Sequence, residues 1–221
     1  MHIVNILNRT ELVKARRLVS KLTFIDGKKS ARGLAKEVKS NLEADPKDNN
    51  YKEAVDHLNH HFRSNEIMKQ LFLPQAFSSP IINKACQGGG YGKHFDASHM
   101  PTAIGSFKSD FSFTLMLSHK DEYEGGELEI DTGEVTRQFK IGAGDAVIYP
   151  SNKLHQVLPV ISGERIAYIG WITSSFKDHL SFDAMKEFEE MHVQLLHHPL
   201  TDDEKLKIAF VKNKLRHVLS K

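Results

Sequence analysis

The run Phe111-Ser112-Phe113-Thr114-Leu115-Met116-Leu117 decides the fold class. Phe111, Phe113, Leu115 and Leu117 alternate with Ser112, Thr114 and Met116, and a period of two is that of a half-buried β-strand. Downstream, Glu127 to Ile130, Val135 to Ile141, Ala146 to Tyr149 and Arg165 to Ile172 are further strand candidates. Glycine-rich turns separate them at Gly125-Gly126, Gly133 and Gly142-Ala143-Gly144-Asp145. Many short strands at this spacing predict a sandwich or barrel-like β core, spanning residues 80–175.

The flanks read as helix. Residues 1–79 form an N-terminal helical support. Leu12, Ala15, Leu18, Val19 and Leu22 recur at helical spacing over 9–22, with Asn8 or Thr10 as the cap. A turn at Asp26-Gly27, a basic stretch and the turn-rich loop Glu43 to Asn50 lead to a second helix from Tyr51 to Lys69. Its apolar positions include Ala54, Leu58, Phe62 and Met68. Residues 176–221 form a helical tail. Phe182 to Leu196 is one helix, and Thr201-Asp202-Asp203-Glu204 opens another with a capping-box pattern. Leu206, Ile208, Ala209, Val211, Leu215 and Val218 give that last helix an apolar stripe, which suits packing on the core or a homodimer contact. The expected architecture is therefore mainly β with helical decoration.

Composition narrows the function classes. The chain has 221 residues, 40% hydrophobic and 26% charged, as in an ordinary globular protein with a sizeable core. A formal charge of +2 gives no case for a nucleic-acid footprint. Met1 to Leu7 lacks the pattern of a signal peptide, and no apolar run reaches membrane-span length. Cys86 is the only cysteine, so no intramolecular disulfide can form and a cytoplasmic location is expected.

The chemistry-bearing residues are His94 and Asp96 in Tyr91-Gly92-Lys93-His94-Phe95-Asp96, then His155 in Leu154-His155-Gln156-Val157, then Arg165. Residues i and i+2 of a strand share a face, so His94 and Asp96 can reach one metal. With His155 they make a 2-His-1-carboxylate set, which suits a non-haem iron oxygenase because it leaves one side of the metal open. Arg165 supplies a cation whose fork matches the carboxylate of a dicarboxylate co-substrate. Bland readings compete. Among 13 histidines a His-x-Asp arises readily by chance. His99 and His119 are rivals for the second imidazole. His99 reads as loop surface, and His119 leads into the solvated turn Lys120-Asp121-Glu122. Arg165 lies in the apolar run Ile166 to Ile169, where a merely structural charge needs a partner. His60-His61 and His197-His198 read as solvated, Gly88-Gly89-Gly90 as a turn and Cys86 as a small filler.

The chain resembles the PKHD-type hydroxylases, a branch of the prolyl-4-hydroxylase-like dioxygenases. The N-terminal blocks that carry the likeness are Asp26-Gly27, Val38-Lys39-Ser40-Asn41, Tyr91 to Asp96 and Ser109-Asp110-Phe111-Ser112. Tyr123 to Leu128, Gly144 to Ser151, Leu154 to Val157, Pro159-Val160, Gly163-Glu164-Arg165 and Trp171-Ile172 continue it. The resemblance implies a double-stranded β-helix (jelly roll). It also implies Fe(2+) on His94, Asp96 and His155, and 2-oxoglutarate with its C5 carboxylate on Arg165. With O2, such an enzyme oxidatively decarboxylates 2-oxoglutarate to succinate and CO2 while hydroxylating a substrate, with L-ascorbate as iron reductant. No catalytic residue beyond the metal site is implied. Two positions depart from the family: Ala85-Cys86-Gln87 stands where an aromatic usually precedes the glycines, and Lys108 where Arg is frequent. A related nucleic-acid demethylase has a second Arg six residues past the first, where this chain has Trp171. Outside the oxygenases stand a non-catalytic, cupin-like jelly roll that binds metal or a ligand, and a cupin that isomerises sugars. Substrate selectivity is expected in the loops 88–93, 96–108 and 28–41.

Overall fold

The computed structural model describes residues 1–31, 33–102 and 105–221. Its core is a pair of antiparallel sheets. The larger runs in the order His2–Asn5, Asp145–Pro150, Phe111–Met116, Arg165–Ser174, Ile81–Ala85, Leu42–Ala44, Phe24–Asp26. The smaller runs Thr136–Phe139, Leu128–Asp131, His155–Val157, Gly90–His94, Lys39–Ser40. Apart from the hairpin of Leu128–Asp131 with Thr136–Phe139, most neighbours in these orders are far apart in sequence, as the crossing connections of a jelly roll require. Two apolar clusters pack against the larger sheet. Leu128 and Ile130 of the smaller sheet pack on Val147 and Tyr149 of the larger, and Met116, Ala85 and Ala167 pack with Tyr123 and Val160. The expected mainly-β jelly roll with terminal helices is the observed one.

The strand Phe111–Met116 differs from expectation in one respect. It is buried at every position, not on one face. Phe113 stacks on Phe62 of the helix Tyr51–Ser64, with ring centroids 4.0 Å apart, and lies 5.5 Å from the Tyr168 ring. Ser112 and Thr114, on the other face, line a cavity between the sheets. The alternation thus brings two hydroxyls to a cavity whose other walls include Leu128, Val157 and Ile169.

The N-terminal segment is more than a helical support. His2–Asn5 pairs with Asp145–Pro150, Leu42–Ala44 with Ile81–Ala85, and Lys39–Ser40 with Gly90–His94. Strands of two to four residues are too short to show a period. The helix Arg9–Val19 has a full capping box, in which Asn8 Oδ1 accepts from Glu11 N–H and Glu11 accepts from Asn8 N–H. The helix expected to run to Lys69 is two, Tyr51–Ser64 and Glu66–Phe72. Asn65 between them is extended (φ −62°, ψ 122°), and its Nδ2 donates to Asn5 O at 2.9 Å.

The chain forms two compact units, Met1–Asn65 with Ala76–Thr173, and Glu66–Gln75 with Ser174–Lys221. The second holds the helices His179–Leu195, capped by Asp178, and Asp202–Leu219, capped by Thr201 with Glu204 as read from the sequence. Glu189 joins them by accepting from Lys212 (2.8 Å) and Arg216 (3.2 Å). The stripe on the last helix is not a core face: Leu206 is 69% exposed and Val218 61%. No helix of the described residues is long and apolar enough to cross a membrane.

Candidate active site

His94 and His155 lie on adjacent antiparallel strands of the smaller sheet and are direct partners across it. Their rings are 4.3 Å apart. Asp96 follows two residues after His94, so all three side chains converge, with one ligand atom from each within 4.8 Å of the others. Each imidazole is fixed through Nδ1, His94 to Gly92 O at 2.7 Å and His155 to Lys153 O at 2.9 Å. A proton on Nδ1 leaves the Nε2 lone pair free, and His155 Nε2 faces Asp96 Oδ2 at 3.7 Å. Ser112 Oγ donates to that same oxygen at 2.6 Å. Two oriented imidazoles and one oriented carboxylate fit a divalent transition metal with open positions; this set has no thiolate and no third imidazole.

Burial shapes the electrostatics. It holds the His94 pKa down at about 4, and the neighbouring His155 adds to this against the Gly92 carbonyl and the Asp96 charge. His94 is therefore neutral at neutral pH, the form in which an imidazole can offer a lone pair to a metal. Burial, then the Asp96 charge, raises Tyr149 well above the ordinary phenol value, so its hydroxyl keeps its proton. The Tyr149 ring is 5.1 Å from that of His155, and the Tyr91 ring stacks on His94 at 3.6 Å.

Arg165 is 2% exposed. Its Nε donates to Gly126 O at 2.8 Å, and no carboxylate lies at ion-pair distance among the described residues. Burial lowers its pKa, yet a guanidinium stays charged. The arginine and the His94, Asp96 and His155 cluster line one cavity of about 550 Å³. A buried cation without a counter-ion is costly.

Of the rivals, His119 is exposed beside its turn. His99 starts a short strand, His99–Thr102, and lines the cavity from an exposed position. Sequence reasoning missed Ser112 and Tyr149. Their signal is a polar face on a strand otherwise rich in apolar residues, a pattern that solvent exposure also produces. At the departures, Ala85 is the cross-strand partner of Arg165 and packs in the Tyr123 cluster, and Lys108 pairs with Asp110 at 2.7 Å.

Comparison with known proteins agrees with this geometry. The pattern of the 2OG-Fe(II) oxygenase superfamily matches residues 81–173. A PKHD-type hydroxylase of Alteromonas mediterranea is 34% identical over 204 residues, covering 91% of this chain and 90% of its own length. One from Hyphomonas neptunium is 37% identical over 176 residues, covering 80% and 79%. Among solved structures, a prolyl hydroxylase from Trichoplax adhaerens, in complex with a hypoxia inducible factor peptide fragment, superposes with a TM-score of 0.58. It is 17% identical, with 78% of this chain and 83% of that one covered, and so shares the fold. The chain belongs to the PKHD-type hydroxylases, Fe(II)- and 2-oxoglutarate-dependent dioxygenases of the 2OG-Fe(II) oxygenase superfamily.

Proposed function

We propose that His94, Asp96 and His155 bind iron(II), that Arg165 binds the C5 carboxylate of 2-oxoglutarate, and that the protein hydroxylates a substrate in the same cavity. The observation that carries this reading is a buried arginine, with no counter-ion among the described residues, sharing a cavity with a converging two-histidine, one-carboxylate cluster. When bound, iron(II) with 2-oxoglutarate and dioxygen supplies the oxidising chemistry, decarboxylating the keto acid to succinate and CO2 as an oxygen atom enters a C–H bond. The protein's own residues bind and orient. Gly92 and Lys153 carbonyls hold the imidazoles in one tautomer, Ser112 holds Asp96, and Gly126 holds the Arg165 fork. Tyr149 keeps its proton and so offers a donor beside the cluster, while Leu128, Val157 and Ile169 make the walls apolar.

By family likeness, L-ascorbate serves as the iron reductant. The reading also takes the protein to be cytoplasmic, with small-molecule partners, no nucleic-acid partner and, through the exposed stripe of its last helix, a homodimer contact.

Anaerobic titration with iron(II) and then 2-oxoglutarate tests it. A saturable visible charge-transfer band, lost in His155→Ala, is expected. Iron binding without a band would favour the non-catalytic metal-binding jelly roll, and no iron binding would end the proposal.

A further inference from the structure

The cavity has a second half that the iron and 2-oxoglutarate assignments do not use. In the larger sheet the order runs from Tyr149 on Asp145–Pro150, past Arg165–Ser174, to Asn83 and Glu43 on the strands beyond. Arg165 leans toward the Tyr149 side, where its electrostatic neighbours are Tyr123, Tyr149 and Glu127. In the smaller sheet the order runs from His155 through His94 to Lys39, so that sheet too carries the cavity past the metal cluster. Lys39 and Asn83 line the cavity from these further strands, Asn83 paired with Ala167 on the strand that carries Arg165.

The charges there cancel. Lys39 is 4% exposed and donates to Glu43 Oε1 at 2.5 Å and to Ser30 Oγ at 2.8 Å, while Ser30 itself donates to Glu43 at 2.7 Å. An ion entering here would shed its water without finding a free counter-charge among these residues. Asn83, the cross-strand partner of Glu43, is 6% exposed, and its Oδ1 is buried with no hydrogen-bond partner among the described residues. A buried acceptor left unmade costs its desolvation, so a residue kept only for the fold would be satisfied or apolar.

We infer that Asn83 is a specificity-determining residue, and that this half of the cavity takes the primary substrate through an uncharged amide. A carboxamide presents one acceptor and one donor end, and an amide presents the complementary pair. This inference rests on the proposed iron and 2-oxoglutarate sites, which assign the other half of the cavity.

The test has two arms. In urea unfolding, Asn83→Leu is expected to gain about fivefold or more in the folding equilibrium constant, because it removes an unsatisfied buried polar group. No gain, or a loss, means a structural asparagine and overturns the inference. In the second arm, succinate formation with iron(II) and 2-oxoglutarate is followed while probes are added. The probes are N-acetyl amino-acid N-methylamides, the corresponding free amino acids, and butyramide with N-methylbutyramide. At least one diamide is expected to raise wild-type succinate formation tenfold or more. Asn83→Leu should lose that stimulation while keeping the wild-type charge-transfer band and 2-oxoglutarate affinity. Butyramides acting as well as the diamides would identify a small carboxamide instead of a peptide, with the amide chemistry upheld. Stimulation by free amino acids alone, or by no probe, overturns it. Absence of the band in the wild type is a separate failure, of the iron and co-substrate sites, and the unfolding arm still decides the role of Asn83.

Discussion

Ser112 Oγ donates a 2.6 Å hydrogen bond to Oδ2 of Asp96, joining a strand of the larger sheet to the carboxylate that follows a strand of the smaller one. The bond fixes which way the carboxylate turns before any metal arrives. Ser112 is 2% exposed, and Ser112→Ala removes the donor with almost no change of volume. We expect the fold to persist and iron(II) affinity to fall by roughly 10–100-fold, the usual effect of losing an outer-shell partner. Anaerobic iron titration of the variant measures this, and wild-type affinity would show that Asp96 needs no such support.

Arg165 separates co-substrate binding from metal binding. Arg165→Ala should weaken 2-oxoglutarate by about 2–5 kcal/mol, the scale for truncating one partner of a buried charge pair, and leave iron(II) binding intact. Arg165→Lys keeps the charge but loses the Nε bond to Gly126 and the fork geometry, so its keto-acid affinity should fall between the two. The charge-transfer band as a function of 2-oxoglutarate concentration reads both variants. Unchanged affinity in Arg165→Ala would remove the arginine from the site.

Phe62 holds the helix Tyr51–Ser64 on the larger sheet. It is 1% exposed, stacked on Phe113 at 4.0 Å and edge-on to Tyr168 at 6.3 Å. Phe62→Ala should cost about 3–5 kcal/mol in urea unfolding, whereas the 61% exposed Phe95 should tolerate Ser at near-wild-type stability. Equal losses at the two positions would mean that the helix does not rest on this contact.

What the sequence made legible follows from how far each signal reaches. His94 and Asp96 were legible because strand parity is local and survives any tertiary arrangement. Arg165 stood out locally only as a charge in the apolar run Ile166 to Ile169, and His155 needed the wider pattern, because a histidine in a short strand of three residues does not name the partner it faces. Ser112 and Asn83 were hidden for a shared reason: a polar residue in a strand signals water, and a polar side chain turned into a cavity gives the same alternation. Lys39–Ser40 and Leu42–Ala44 were hidden because strands of two or three residues are defined by partners that local sequence does not name. The break at Asn65 was hidden because the carbonyl it reaches, that of Asn5, belongs to a strand 60 residues away.

Asp48 ties the loop before the helix Tyr51–Ser64 to the strand region at Thr23. One carboxylate oxygen accepts from Thr23 N–H at 2.8 Å, and the other from Asn50 N–H at 2.8 Å and Asn50 Nδ2 at 3.1 Å. These bonds hold its pKa at about 2, below the ordinary 3.8, with the Asn50 backbone bond the largest cause. A carboxyl whose pKa is lower folded than unfolded binds protons more readily in the unfolded chain. Its contribution to stability is therefore complete above about pH 4 and is lost as pH falls toward 2. Asp48→Asn places a neutral analogue of the protonated carboxyl at the site, one end of which cannot accept. The variant should be less stable than the wild type at pH 7, and the two should converge as pH drops from 4 to 2, because the wild type then becomes what the variant already is. Urea midpoints of both proteins across that range provide the measurement. A gap that stays constant with pH would show that the carboxylate charge contributes nothing beyond its shape.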